Sequence, residues 1–194
     1  LDWICSITNT SITETLKNVE KYFNDPNLVS NSSFFLPYLS GERTPHNDPH
    51  IRGSFHAMKT TTDATNLQYA VIEGVSFGIL DGVNSILKVN DNFDKIFMVG
   101  GGSRSSFWIE LIASLLQRNL SVCDQSEYGA ALGVARLAMH VDNNIKDQNN
   151  IIKEIKISKE YKPKIDSIDL LKKRYTIWKD LYTSNKNIAS TLLA

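Results

Sequence analysis

Between Lys95 and Leu116 the hydrophobic period changes at one point, and no other feature restricts the fold as tightly. Lys95-Ile96-Phe97-Met98-Val99 reads as a strand and Gly100-Gly101-Gly102-Ser103 as a tight turn, after which Phe107, Trp108, Leu111, Ile112, Leu115 and Leu116 recur at helical spacing. Strand, glycine turn and helix in that order predict an α/β unit. A second such unit is expected directly after it. Leu120-Ser121-Val122-Cys123 reads as a strand, and a small-residue helix from about Glu127 to His140 carries Ala130, Ala131, Gly133, Ala135 and Ala138.

The preceding half supplies elements to pack against these. Leu1-Asp2-Trp3-Ile4-Cys5 reads as the interior of a helix, and the chain opens without Met, so a fragment of a longer polypeptide is expected. Ile12, Leu16, Val19 and Phe23 predict a helix over 11–23, closed by a turn at Asn24-Asp25-Pro26-Asn27. Phe34 to Leu39 reads as a buried strand feeding a long surface loop, Ser40 to Pro49. Gly53 to Met58 is a further short strand, with Thr62 or Asp63 capping a helix from Ala64 to Leu87. That helix places Leu67, Val71, Val75, Ile79, Val83 and Ile86 on one face, beside a row of Gly74, Gly78 and Gly82. Each glycine costs about 1 kcal/mol of helix propensity relative to Ala, which marks close approach of another element. Asp142 to Asn150 is polar and reads as a loop. Asp166 to Tyr182 carries Ile168, Leu171, Tyr175, Trp178 and Leu181 at helical spacing and is expected to dock its apolar face on one α/β domain.

Charge and composition exclude several partner classes. Lys plus Arg total 21 and Asp plus Glu 21, leaving no basic footprint for nucleic acid and no polybasic membrane patch. No uninterrupted apolar stretch approaches the roughly 18 to 20 residues that span a bilayer, and no signal peptide is visible, so a cytoplasmic protein is expected. Cys5 and Cys123 lie far apart with no C-x-x-C spacing, which argues for neither a disulfide framework nor a zinc site. Cys123 reads as a small buried hydrophobe. His46, Asp48 and His50 share a loop but match no metal-ligand spacing, so no metal site is assigned. Glu42 and Arg43 read either as an ion pair fixing that loop or as a solvated turn.

Gly100-Gly101-Gly102-Ser103-Arg104-Ser105-Ser106 has its own chemical logic. Backbone without side chains lets a ligand approach, and the orphan N–H groups of the following helix favour an anion or a polar ring edge. The run is neither G-x-x-x-x-G-K-[ST] nor G-x-G-x-x-G, so on its own it is equally a nucleotide loop or a tight strand-to-helix turn.

Longer motifs add a resemblance. Phe35-Leu36-Pro37-Tyr38-Leu39-Ser40-Gly41-Glu42-Arg43-Thr44-Pro45-His46-Asn47 closely resembles a segment found in the bacterial xylulokinases of the FGGY carbohydrate kinase family. Gly53-x-Phe55 followed by Asn66-Leu67-x-x-Ala70-Val71-Ile72-Glu73 is similar to the family's second signature, with Ala57 where the family has Gly. Gly100 to Ser103, continued through Trp108 and Ala113, resembles its adenosine motif, and Glu127-x-Gly129-Ala130-Ala131-Leu132-Gly133-x-Ala135 the helix after it. The likeness runs from Leu1 to about His140 and, more loosely, over Tyr161 to Tyr182.

The resemblance implies an actin-like ATPase (ribonuclease H-like) fold, with residues 1–194 as the C-terminal nucleotide-binding half of a two-domain sugar kinase whose N-terminal sugar-binding domain is absent. It implies ATP and Mg²⁺ as cofactors, ATP/ADP as ligand, and a pentulose substrate bound through the missing domain. The implied reaction is phosphorylation of D-xylulose to D-xylulose 5-phosphate. The alternatives are gluconate or another sugar for the same family, or a non-catalytic nucleotide-binding module. Matching positions assign Gly101, Gly102, Ser103 and Ser106 to the nucleotide, with Trp3 either beside the base or in the core. Phosphoryl transfer needs a carboxylate to take the hydroxyl proton, and Asp48, Asp63, Asp81 and Asp124 all read as turn, cap, helix or strand-end residues. No catalytic residue is assigned, the isolated fragment is expected to be inactive, and its exposed interdomain surface is expected to favour self-association, at simplest a homodimer.

Overall fold

Helix capping and strand burial build most of the expected elements in the computed structural model, which describes residues 1–89, 95–124, 126–141 and 156–192. Helix α1 spans Asp2–Thr8, and α2 spans Ile12–Phe23, with the Ser11 hydroxyl accepting from the Glu14 N–H at its start. The turn expected at 24–27 is instead the beginning of a third helix, α3 (Pro26–Ser30): Asp25 caps the Asn27 and Leu28 N–H groups and Pro26 fits the first helical turn. Strand β1 (Phe34–Leu36) pairs antiparallel with β2 (Ser54–His56) across the intervening loop. Asp63 then caps α4 (Ala64–Leu87) by accepting from the Asn66 N–H.

Helix α4 is the central beam, touching α1, α2, α5, α7 and β1. Among the described residues it is the one helix long and apolar enough to cross a bilayer by length and composition, yet here it is a core helix. Its buried face differs from the expected row. Tyr69, Ile72, Phe77 and Leu80 are buried, while Ile79 and Ile86 are exposed. Polar side chains share that buried face because each finds a partner. Asn66 accepts from the Ser33 N–H and donates to Tyr22, and Gln68 donates to Thr8 and Thr10. Close approach is real only at the first glycine of the row, where a Cβ on Gly74 would lie 2.2 Å from the Phe35 carbonyl oxygen. At Gly82 nothing lies within 4 Å.

The second sheet has the order β3-β4-β5. Strand β3 (Phe97–Met98) runs parallel to β4 (Leu120–Cys123), with α5 (Ser106–Leu116) between them in sequence, as the period change predicts. Helix α6 spans Gly129–Val141 after a 3₁₀ turn at Ser126–Tyr128. Strand β5 (Ile157–Tyr161) joins β4 antiparallel and has no counterpart in the sequence reading. The loop expected over Asp142 to Asn150 lies outside the described residues. Helix α7 (Ile168–Leu192) runs further than expected and buries Leu171 and Trp178 in the main core. It also brings Arg174 to Glu73, a bidentate pair with N–O distances of 2.7 and 2.6 Å, both side chains buried. The Trp178 indole donates to the Phe35 carbonyl.

Candidate functional site

The glycine run ends β3 and wraps into a 3₁₀ turn, Gly101–Arg104, before α5. Gly100 adopts φ +85°, a left-handed backbone that a side chain would strain. Gly101 and Gly102 are glycine for a different reason. A Cβ at Gly101 meets no atom within 4 Å, and one at Gly102 meets only the Trp108 ring at 3.7 Å, an ordinary contact. Protein packing therefore does not demand glycine at either position; what the missing side chains leave is open space.

That space is a cleft of about 940 Å³. One wall is Gly101, Gly102, Ser106 and Trp108, and the facing wall comes from α1 and α2, chiefly Ile12, Leu16 and Lys17. Apolar surface from Ile12, Leu16 and Trp108 meets ionic side chains of both signs, Asp2 and Glu20 against Lys17 and Arg104. Such a mixture suits a ligand with a flat apolar part and a polar or anionic part. The first of these walls is tied to the rest of the domain by hydrogen bonds. The Trp108 indole donates to Ser76 of α4 at 2.9 Å, and the Ser106 hydroxyl lies 3.0 Å from the Tyr161 hydroxyl of β5. At the start of α5 the Ser105 hydroxyl accepts from the Trp108 N–H.

Of the five residues the sequence singles out, Gly101, Gly102 and Ser106 line this cleft. Ser103 does not. Its hydroxyl is turned inward, donating to the Gly100 carbonyl at 2.7 Å and meeting Ser126 at 2.8 Å, so it fixes the shape of the loop. Trp3 lies outside the lining and stacks on Phe35 and Phe55, at 5.4 and 6.3 Å between ring centroids, which leaves its neighbours Leu1 and Asp2 at the cleft. The facing wall from α2 is not legible in the sequence, since only the tertiary fold brings residues 12–20 against residue 101.

Asp48, Asp63 and Asp81 have structural partners. Asp63 is the cap of α4, and Asp81 accepts from the Tyr175 hydroxyl and lies 3.5 Å from His46. Asp48 accepts from the His50 and Ile51 N–H groups and from the Tyr182 hydroxyl. Desolvation opposes those bonds, but together they hold its carboxyl below the usual range. Asp124 is exposed after β4. The Glu42 carboxylate accepts from the His46 N–H and so closes the loop on itself, without pairing to Arg43. The His46 ring is stacked on Tyr182 at 3.7 Å. Among the described residues no three His, Cys, Asp or Glu side chains converge as a metal site would need. Cys123 is half-buried rather than buried; desolvation, then the charge of Asp124, pushes its thiol up.

The model of the FGGY family of carbohydrate kinases, C-terminal domain, matches residues 1–141. The chain is 30% identical over 165 residues to a xylulose kinase of Staphylococcus epidermidis, covering 84% of this chain and 33% of that protein. It is 29% identical over 182 residues to a xylulose kinase of Escherichia coli K12, covering 94% and 37%. The crystal structure of a xyloylose kinase from Brucella ovis aligns with a TM-score of 0.80 at 30% identity, over 96% of this chain and 38% of that one. The chain thus spans about a third of the length of the curated relatives it matches.

Proposed function

Because the chain belongs to the FGGY family of carbohydrate kinases, as an actin-like C-terminal domain, we propose that its cleft is the nucleotide half-site of an ATP-dependent sugar kinase. The whole protein then transfers the γ-phosphoryl group of ATP to a hydroxyl of D-xylulose, giving D-xylulose 5-phosphate and ADP. The observation that carries this reading is the pair Gly101 and Gly102, glycines that no protein contact requires, standing on the wall of an open cleft at the approach to a helix.

The residues present fit the nucleotide. Ile12, Leu16 and Trp108 offer apolar surface to a base, Gly101 and Gly102 let the backbone come close, and the Ser106 hydroxyl supplies a polar contact held in place by Tyr161. Lys17 and Arg104 line the same cleft and are the cations it offers to the phosphate charge. Ser103 and Ser126 act through the loop they pin, and Trp3 acts as packing. In the transfer the bond from Pγ to the β,γ-bridging oxygen breaks, a sugar oxygen bonds to phosphorus, and the hydroxyl proton passes to a carboxylate. We assign that carboxylate, and the sugar contacts, to polypeptide outside this chain. Mg²⁺ would balance the phosphate charge; the described residues offer it no ligand cluster.

Calorimetric titration of the 194-residue chain with Mg²⁺ and ADP tests the half-site. Saturable binding is expected, weakened at least tenfold by Gly102→Val, whose two γ-methyl groups would enter the cleft while far-UV circular dichroism stays unchanged. Equal affinity for the two proteins refutes the assignment. The sugar is tested on the full-length protein with a substrate panel, and a preference for gluconate over xylulose removes the pentulose.

A further inference from the structure

Strand β5 lies outside the family match of residues 1–141, yet it sends one hydroxyl to the wall of the cleft. Tyr161 closes the strand opposite Leu120 of β4, and it alone of the five residues is buried, packed with Ile109, Ile112 and Ala113 of α5. Three contacts fix its ring. They are that packing, the Lys159 ammonium 4.4 Å from the ring centroid, and the Ser106 Oγ 3.0 Å from its hydroxyl.

The direction of the last bond decides what Ser106 can offer. A phenol is a stronger donor than an alkanol, and a cation over the ring strengthens it further, so the Tyr161 O–H donates and the Ser106 oxygen accepts. A serine hydroxyl holds one hydrogen, and with Tyr161 on one of its lone pairs that hydrogen is turned away from β5. Ser103 and Ser105 are buried, with their hydroxyls engaged by the Gly100 carbonyl and the Trp108 N–H. Ser106 is exposed on the cleft wall and has no second partner among the described residues. Its hydrogen therefore faces the cleft.

We propose that Tyr161 is a positioning residue for nucleotide binding: by donating to Ser106 it holds that side chain in one rotamer and makes it a hydrogen-bond donor to the ligand. The atom met there is an acceptor of the nucleoside, a ring nitrogen of the base or an oxygen of the ribose. The proposal rests on the nucleotide reading above. Without the Tyr161 hydroxyl, Ser106 is free to take any of the three staggered rotamers and to turn its hydrogen back toward β5, so the contact is no longer preorganised.

The test is calorimetric titration with Mg²⁺ and ADP of the 194-residue chain in four forms: native, Tyr161→Phe, Ser106→Ala and the double variant. Tyr161→Phe keeps the packed ring and removes the bond, so affinity should fall about threefold, one rotamer in three being productive. Ser106→Ala loses the contact itself and should cost about fivefold. In the Ser106→Ala background, Tyr161→Phe should change nothing. An equal loss in both backgrounds makes Tyr161 merely structural and overturns the proposal, as does an affinity that either single substitution leaves unmoved. ADP analogues that each lack one acceptor, the deaza purines and the deoxyriboses, then identify the atom. One of them should bind the native chain and Ser106→Ala equally, and a difference that persists for every analogue overturns the donor role. A chain whose ADP affinity falls with Gly102→Val but shows no coupling between Tyr161 and Ser106 loses this proposal alone, whereas a chain that binds no ADP loses the nucleotide reading and this proposal with it.

Discussion

Substituting alanine at each glycine of α4 in turn asks whether a shared sequence pattern has a shared cause. At Gly74 an added Cβ would sit 2.2 Å from the Phe35 carbonyl oxygen, so helix and strand must part by about 1 Å to reach the ordinary C···O contact of about 3.3 Å. That carbonyl accepts the Trp178 indole N–H at 2.8 Å. Losing the bond costs about 1 kcal/mol and the forced separation about 1 to 3 kcal/mol, against about 1 kcal/mol gained in helix propensity. The net is a destabilisation of about 1 to 3 kcal/mol. At Gly78 the nearest atom is a Pro37 ring carbon at 3.8 Å, and at Gly82 nothing lies within 4 Å, so both substitutions should stabilise, Gly82→Ala by about 1 kcal/mol. Urea unfolding followed by far-UV circular dichroism should separate Gly74→Ala from Gly82→Ala by about 2 to 4 kcal/mol, read from the midpoints at unchanged slope. Gly74→Ala matching Gly82→Ala in stability would refute the close-approach argument.

Two further expectations concern the first sheet and the loop packed near it. Ala57 follows β2 at φ +59°, a backbone that costs an L-residue about 1 to 2 kcal/mol, so Ala57→Gly should stabilise the domain by about 0.5 to 1 kcal/mol after the added unfolded-state entropy; a lower urea midpoint contradicts this. The Tyr182 hydroxyl is pushed up to about 12 by desolvation, then by the bond it donates to Asp48 and by that residue's charge. A folded value above the ordinary 10 gives stability that is present below pH 10 and lost as pH rises through 12, so the stability advantage of the native protein over Tyr182→Phe should shrink across that interval, and a difference independent of pH there would rule the coupling out.

Local chemistry is legible in the sequence and long-range chemistry is not. Asp63 announces the start of α4, and the Lys95 to Leu116 period change announces β3, the glycine turn and α5, because each signal is written in neighbouring residues. The Asp25-Pro26 pair is equally readable as a cap and first helical turn, and α3 could have been found from it. Strand β5 could not. Four of its five residues are exposed and two are charged, so it shows no apolar period, and only its pairing with β4 makes it a strand. The row assigned to α4 fails where burial is set by partners rather than by hydrophobicity, as at Asn66, Gln68 and Glu73. The same division runs through the cleft. Its glycine wall is local and expected, whereas the α2 wall of Ile12, Leu16 and Lys17 exists only after the fold has formed.

The contacts of α7 have a consequence for the order of folding during synthesis. Arg174 closes on Glu73 and on the Ser32 and Ser33 carbonyls, and Trp178 on Phe35, so the polypeptide must be made through residue 178 before the first sheet is finished. A nascent chain released at residue 141, where the family match stops, would carry Glu73 without its counter-ion and an unfilled seat for Trp178. Contacts separated by more than a hundred residues close slowly, because loop entropy is lost before they form. Co-translational folding of the α1 to α5 half should therefore halt at a partly collapsed intermediate, and the ribosome's arrival at α7 sets the time at which the domain becomes native.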